Sequence, residues 1–295
     1  MAIDKKQLSS WLTTCETDLE SSFFHTPYWY EVARKYHNCD LNIIKLNSES
    51  FIPTVSYRRG FRRHLIHESS PFGTYGGILG TSPITEDELS RSLYGKRIFI
   101  RSNPYKKDSV VNLLKTDQEE QTQVVYLPNS SESITDQWST NHKRTLKKAE
   151  SENLRFAFDK SKQCSDRFYS IYQLTLNRWA SKKKNKHKAQ LFRYIFNDCQ
   201  NQVRFAFVSK GDNDLAAGIF FKWHDRLHYW SGASTLTGLN IGASVFLMHQ
   251  IMMRCIDEKI QLLDFNPSNH IKGVINFKSK FGAKALSCNI KSIGF

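Results

Sequence analysis

Nowhere in this 295-residue sequence do about 18 apolar residues run together, the least that a membrane-spanning helix needs, so none is expected. The opening stretch, MAIDKKQLSSWLTTCETDLE, is polar and acidic and lacks the apolar core of a secretory leader. A cytoplasmic protein is expected, with peripheral contact at the inner face of an anionic membrane as an open option. Cysteine is sparse, and the six thiols (Cys15, Cys39, Cys164, Cys199, Cys255, Cys288) show no CxxC or metal-ligand spacing. Reduced thiols and no metal are therefore expected. There is no Ser-His-Asp spacing, no HExxH and no P-loop lysine motif. His25 and His249 have no acid or cysteine partner in the sequence and read as structural.

Acidic residues are the scarce charge. Forty-two Lys+Arg stand against 28 Asp+Glu, giving a net charge of +14. Such a field favours anionic partners: nucleic acid, acidic headgroups or phosphorylated metabolites. Two basic clusters concentrate it, His142-Lys143-Arg144 with Lys147-Lys148, and the run from Lys182 to Lys188. The second has no interleaved aromatic residues, so stacking on single-stranded nucleic acid is not favoured.

What the sequence does have is element patterning in two halves. In the first, FFHTPYWYEVARKY reads as an extended entry and a helix from Pro27, whose missing N–H is harmless in a first turn. LNIIKLN and SFIPTVSYRR read as strands. SSPFGTYGGILG is a glycine-rich loop that turns tightly or approaches a ligand. TEDELSRSLYG reads as a helix, and KRIFIRSN and QTQVVYLP as strands.

The second half opens with a basic helix over about 135–152 and a strand, LRFAFDK. An apolar helix, SDRFYSIYQLTLNRWAS, follows with Ser165 as its cap. After AQLFRYIFNDCQ, another helix, come VRFAFVS, LAAGIFFKW and RLHYWSGAS, antiparallel strands joined by short turns. Alternation puts His228 and Trp230 on one face and Tyr229 on the other. GLNIGASVFLMHQIMMRCIDEKI reads as one long helix. LLDFN is a strand, IKGVINFKSKF a short helix and ALSCNIKSI a last strand. Pro267 cannot extend a ladder, so the LLDFN strand must stop near it.

The second half has the element order of a GNAT (acyl-CoA N-acyltransferase) domain, and the first half reads as a degraded copy. FFHTPYW, SPFGTYGG, NHKRTLKKAESENL, LTLNRW and LLDFNPSNHIKGVINFKSKFGAK occur in the order that resembles the FemAB-like acyltransferases, relatives of the Fem-type peptidoglycan aminoacyltransferases. The likeness spans nearly the whole chain, and FKxxFGA is its most distinctive run. It implies an α/β fold of two GNAT-like domains with mixed central sheets flanked by helices. The expected boundaries are 1–132, degenerate, and 133–295, the acyltransferase domain.

The resemblance implies transfer of an acyl group from acyl-CoA, acetyl-CoA first, to an amine of a sugar or nucleotide-sugar used in cell-envelope polysaccharide synthesis. One alternative is transfer from aminoacyl-tRNA to a peptidoglycan precursor. Another is a non-catalytic module that binds a polyanion. No coiled-coil heptad pair is present, which favours the compact relatives and acyl-CoA.

The expected site follows from the same resemblance. Lys278 stands where relatives carry the lysine that stabilises charge on the reacting carbonyl. Asp264 orients the acceptor or takes its proton, or else is a structural acid bonded to backbone N–H groups. Tyr229 is a proton donor to the leaving thiolate, or else core. Arg178 is expected near acceptor phosphates, or else in a salt bridge at a helix end, and Arg144 is expected to face the acceptor cleft. Tyr75, Ser268 and Phe277 are expected to line the acceptor cleft, with a helix-capping role open for Ser268. For the donor, Asn240, Ile241, Gly242, Ala243 and Ser244 match the pyrophosphate loop at a helix start. Leu239 departs from the usual Gln or Arg of that loop, and Ser244 from its second glycine.

Overall fold

The computed structural model describes residues 3–59, 64–107, 109–178 and 187–294. Trp179 and the lysines at 182–184 and 186 lie outside the described residues. The chain divides into two compact units, 1–122 with 286–295, and 123–285.

The first unit begins with α1 (Lys5–Thr17), opened by a capping box in which Gln7 N–H donates to Asp4 Oδ1 at 2.8 Å. Helix α2 (Pro27–His37) starts on Pro27, as the sequence predicts. There follow β1 (Asp40–Lys45), β2 (Phe51–Arg59), β3 (His64–Glu68), α3 (Glu86–Leu93) and β4 (Arg97–Arg101). The chain then passes through β5 (Gln121–Tyr126), α4 (Thr140–Glu150), β6 (Arg155–Asp159), α5 (Cys164–Arg178), α6 (Ala189–Asp198), β7 (Val203–Lys210), β8 (Asn213–Trp223) and β9 (Arg226–Ser234). It ends with α7 (Leu236–Asn240), α8 (Ala243–Asp257), β10 (Leu262–Asp264), α9 (Lys272–Ser279), β11 (Lys284–Ser287) and β12 (Ile290–Ile293).

Both sheets are mixed. The first has the order β1-β2-β3-β4-β12, with β3 and β4 parallel. The second has the order β11-β5-β10-β9-β8-β7-β6, with β9 and β10 parallel and β5 antiparallel to β10. Four readings differ from expectation. Strand β5, read as part of the first half, pairs in the second sheet. ALSCNIKSI is two strands, and β12 returns to pair antiparallel with β4. The alternation that marks a strand does not say which edge it will bury against, so the unit boundary differs from 132. The long helix is broken at Gly242, whose φ of 82° places it in the left-handed region. Ser165 lies inside α5, which starts at Cys164.

The pleat of the second sheet sorts its two faces. Ala206, Val208, Phe220, Leu227 and Leu263 join the core with Leu146 of α4 and Met248 and Met252 of α8. Alternate residues face α5 and α6: Phe205 packs on Phe168, and Trp230 on Phe192.

Candidate active site

Strand β10 is only three residues long, yet all three are buried. Leu263 and its successor Phe265 feed the core on the α4–α8 face. Asp264 therefore points the other way, in register with His228 on parallel β9. Neither side chain has exposed surface, and Asp264 Oδ2 lies 3.1 Å from His228 Nδ1. The other carboxylate oxygen, Oδ1, accepts the Asn266 N–H at 2.8 Å, an Asx turn that ends the strand. Asn266 takes a φ of 58°, a conformation Asn tolerates better than most residues. Its side-chain amide donates to the Tyr229 carbonyl at 3.0 Å, tying the turn back to β9.

The turn is what Lys278 reaches. Its ammonium, 4% exposed, donates to the Asn266 carbonyl at 2.7 Å and to Ser268 Oγ at 2.8 Å. Asp264, Ser268 and Lys278, expected at one site, are linked through the Asn266 turn. Asp264 is directed into the protein and not at an acceptor, matching the backbone-bonded alternative. Ser268 does not cap α9: Ile271 holds the cap position with no side-chain bond, and Ser268 Oγ serves Lys278 instead.

The rest of the FKxxFG run is packing. Phe277 and Phe281 lie 5.1 Å apart, and the His142 ring is 5.4 and 4.4 Å from them. His142 Nε2–H donates to the Phe277 carbonyl at 3.2 Å, and burial pushes the imidazole down to about 4, so it is neutral. A Cβ on Gly282 would lie 2.6 Å from Gln137 Cβ, which explains the glycine. Tyr229 stacks on Phe220 at 5.0 Å and fills the slot over the paired Gly218 and Gly232. Burial raises its phenol pKa. The ring is half-buried against the core of the second unit.

Other expected site residues are placed apart. Tyr75 is fully buried in the first unit, with Phe24 at 5.9 Å and Tyr105 at 6.1 Å, so no ligand can lie against it as it stands. The glycine-rich loop around it is tight because a Cβ on Gly76 would sit 1.5 Å from the Ser69 carbonyl oxygen. Arg144 is exposed on α4, whereas Arg178 is half-buried at the end of α5, where burial lowers its pKa. The two helices pack on opposite faces of the second sheet.

At the donor loop, Gly242 starts α8 and no side chain caps it. A Cβ there would lie 2.6 Å from Thr145 Cγ2 of α4, and Lys148 of α4 donates to the Asn240 carbonyl at 3.0 Å. Ala243 is fully buried, and Ile241 and Ser244 are half-buried. The glycine is thus accounted for by helix packing. The uncapped first turn beside a basic helix still suits an anionic group, so the fit to a pyrophosphate is partial. Among the described residues no His, Cys, Asp and Glu side chains gather into a metal-holding group, and no helix is long and apolar enough to cross a membrane.

Residues 138–279, just under half of the chain, match a family model described as an acetyltransferase (GNAT) domain. This match makes residues 138–279 a GNAT-type acyltransferase domain. No curated protein matches the chain. Among solved structures, FemX is similar over 99% of this chain and 96% of its own, with a TM-score of 0.74 at 9% identity. The C-terminal domain of a putative lysylphosphatidylglycerol synthetase from Agrobacterium fabrum has a TM-score of 0.66 at 12% identity, covering 98% of this chain and 92% of that one. L-PGS from Bacillus licheniformis has a TM-score of 0.61 at 9% identity, covering 98% and 91%. At these identities the likeness is one of fold. His228 and Asn266 bond directly to Asp264, and sequence reasoning singled out neither for the candidate site. The only advance signal was a histidine on a central strand, and its partner lies 36 positions away.

Proposed function

We propose that this GNAT acyltransferase forms an amide by moving an aminoacyl group from aminoacyl-tRNA to a primary amine on an anionic cell-envelope precursor. The observation that carries the reading is the Lys278 ammonium, sequestered where β10 ends beside parallel β9. The amine's lone pair forms the C–N bond, the carrier's ester C–O bond breaks, and the amine's proton ends on the departing hydroxyl. Lys278 donates to the carbonyl oxygen as negative charge collects there, the step at which a fixed donor has most effect. Asp264 and His228 act behind it and touch no substrate.

Support for the tRNA donor comes from the whole-chain likeness to FemX and to proteins named for lysylphosphatidylglycerol synthesis. The net charge of +14 suits a polynucleotide carrier. A second reading keeps acyl-CoA as donor, with a sugar or nucleotide-sugar amine as acceptor. The uncapped first turn of α8, with Lys148 beside it, favours that reading. Thermal-shift series with acetyl-CoA, a UDP-sugar and aminoacyl-tRNA, followed by mass spectrometry of the amide product, separate the two. Stabilisation by aminoacyl-tRNA with aminoacylated product supports the first; stabilisation and acylation by acetyl-CoA supports the second. Uniform, salt-sensitive binding of all polyanions with no product overturns both and leaves a binding module.

A further inference from the structure

We infer that His228 is a positioning residue for Lys278, acting through Asp264 and the Asn266 turn; this rests on the catalytic reading of Lys278. Four groups form an unbroken chain. His228 Nδ1–H donates to Asp264 Oδ2 (3.1 Å), and Asp264 Oδ1 accepts the Asn266 N–H (2.8 Å). The Asn266 carbonyl then accepts from Lys278 Nζ (2.7 Å). Each link fixes a different degree of freedom. The imidazole holds the carboxylate's rotation, and the carboxylate holds Asn266 in its left-handed conformation. That conformation aims the carbonyl at the ammonium. Without His228 the carboxylate loses one of its holds on χ2, a soft torsion for Asp, and its bond to the Asn266 N–H loosens.

The placement argues for more than core filling. A buried histidine–carboxylate pair is weak evidence of stability, because an apolar pair of similar volume serves as well or better. The neighbouring register position uses that solution: Leu263 lies opposite Leu227 on the same two strands. The polar pair stands only at the last residue of β10, where the chain turns toward the lysine. The histidine side chain has no exposed surface, so no substrate lies against it as it stands. It therefore acts on the reaction only through what it holds.

The test reads Lys278 without turnover. Acetic anhydride labels lysines at a rate set by their accessibility, and mass spectrometry follows Lys278 in the parent, His228→Leu and His228→Asn. The Asn amide places a donor near the position of Nδ1. Expected is a rise of roughly tenfold in Lys278 labelling for His228→Leu, the effect of losing about one hydrogen bond, and parent-like protection for His228→Asn. Cys255, buried in α8 of the same unit, reports general loosening through thiol labelling and is expected to stay protected. Equal Lys278 labelling in the parent and His228→Leu overturns the inference, as does joint exposure of Cys255 or failure of His228→Asn to restore protection. A parent-like rate of acyl transfer in Lys278→Met would instead overturn the functional reading, and the labelling result would not depend on it.

Discussion

Asp264 and His228 stand opposite each other on parallel strands, 3.1 Å apart and without exposed surface, a polar pair inside the sheet. Asp264→Ala removes the carboxylate that bonds the imidazole and the Asn266 N–H together. Breaking a buried pair in this way costs about 3–5 kcal/mol. Asp264→Asn keeps one acceptor and should lose less. Urea unfolding of the two variants checks the order; an Asp264→Ala protein as stable as the parent would show that the pair does not hold β10.

Lys278→Met should lower turnover on the order of a hundredfold, the loss seen when one charge-stabilising donor is removed. Donor KM should change little, because the ammonium faces the turn and not the α8 loop. Lys278→Arg should not restore the rate, since a planar fork cannot reproduce the two short bonds to Asn266 and Ser268. Steady-state kinetics with the donor identified above decides this. An unchanged rate would reduce the FKxxFG run to packing.

Gly232→Ala places a Cβ 1.6 Å from the Tyr229 hydroxyl. Overpacking of this kind costs roughly 1–3 kcal/mol. Tyr229→Leu in the same chain removes the obstructing atoms, so the double variant should be less destabilised than the two single losses added together. A double-mutant cycle in thermal melts measures the coupling; strict additivity would mean that the ring does not occupy the glycine slot.

The first unit holds its own titrating acid. Glu68 lines a cavity of about 190 Å³ with Tyr57, Ser70, Phe99 and Arg101. Burial raises its pKa from 4.5 to about 7, opposed by a hydrogen bond from Tyr57 and by the Arg101 charge. The folded state therefore holds this proton more tightly than the unfolded chain. The resulting stability is fully present below pH 4.5 and is lost as pH rises through about 7. Glu68→Gln should melt close to the parent at acidic pH and above it at pH 8. Parallel melting curves across that range would show that Glu68 is not held neutral.

The sequence carried the helices, the three hairpin-linked strands and the LLDFN strand, because local periodicity and turn residues act within a few positions. It also placed Asp264, Ser268 and Lys278 at one site, since one strand, one break and one short helix fit between them. Tertiary structure decided the rest. Whether β5 and β12 pair at home or abroad depends on which sheet edge buries them, and pleat alternation is blind to that. Tyr75 was legible as a loop tyrosine, but its burial depends on Phe24 and Tyr105 closing over it. The direction of the Asp264 carboxylate was settled by Leu263 and Phe265, which take the opposite face for the core. His228 became its partner only through a parallel strand register, a long-range pairing that no spacing in the chain encodes.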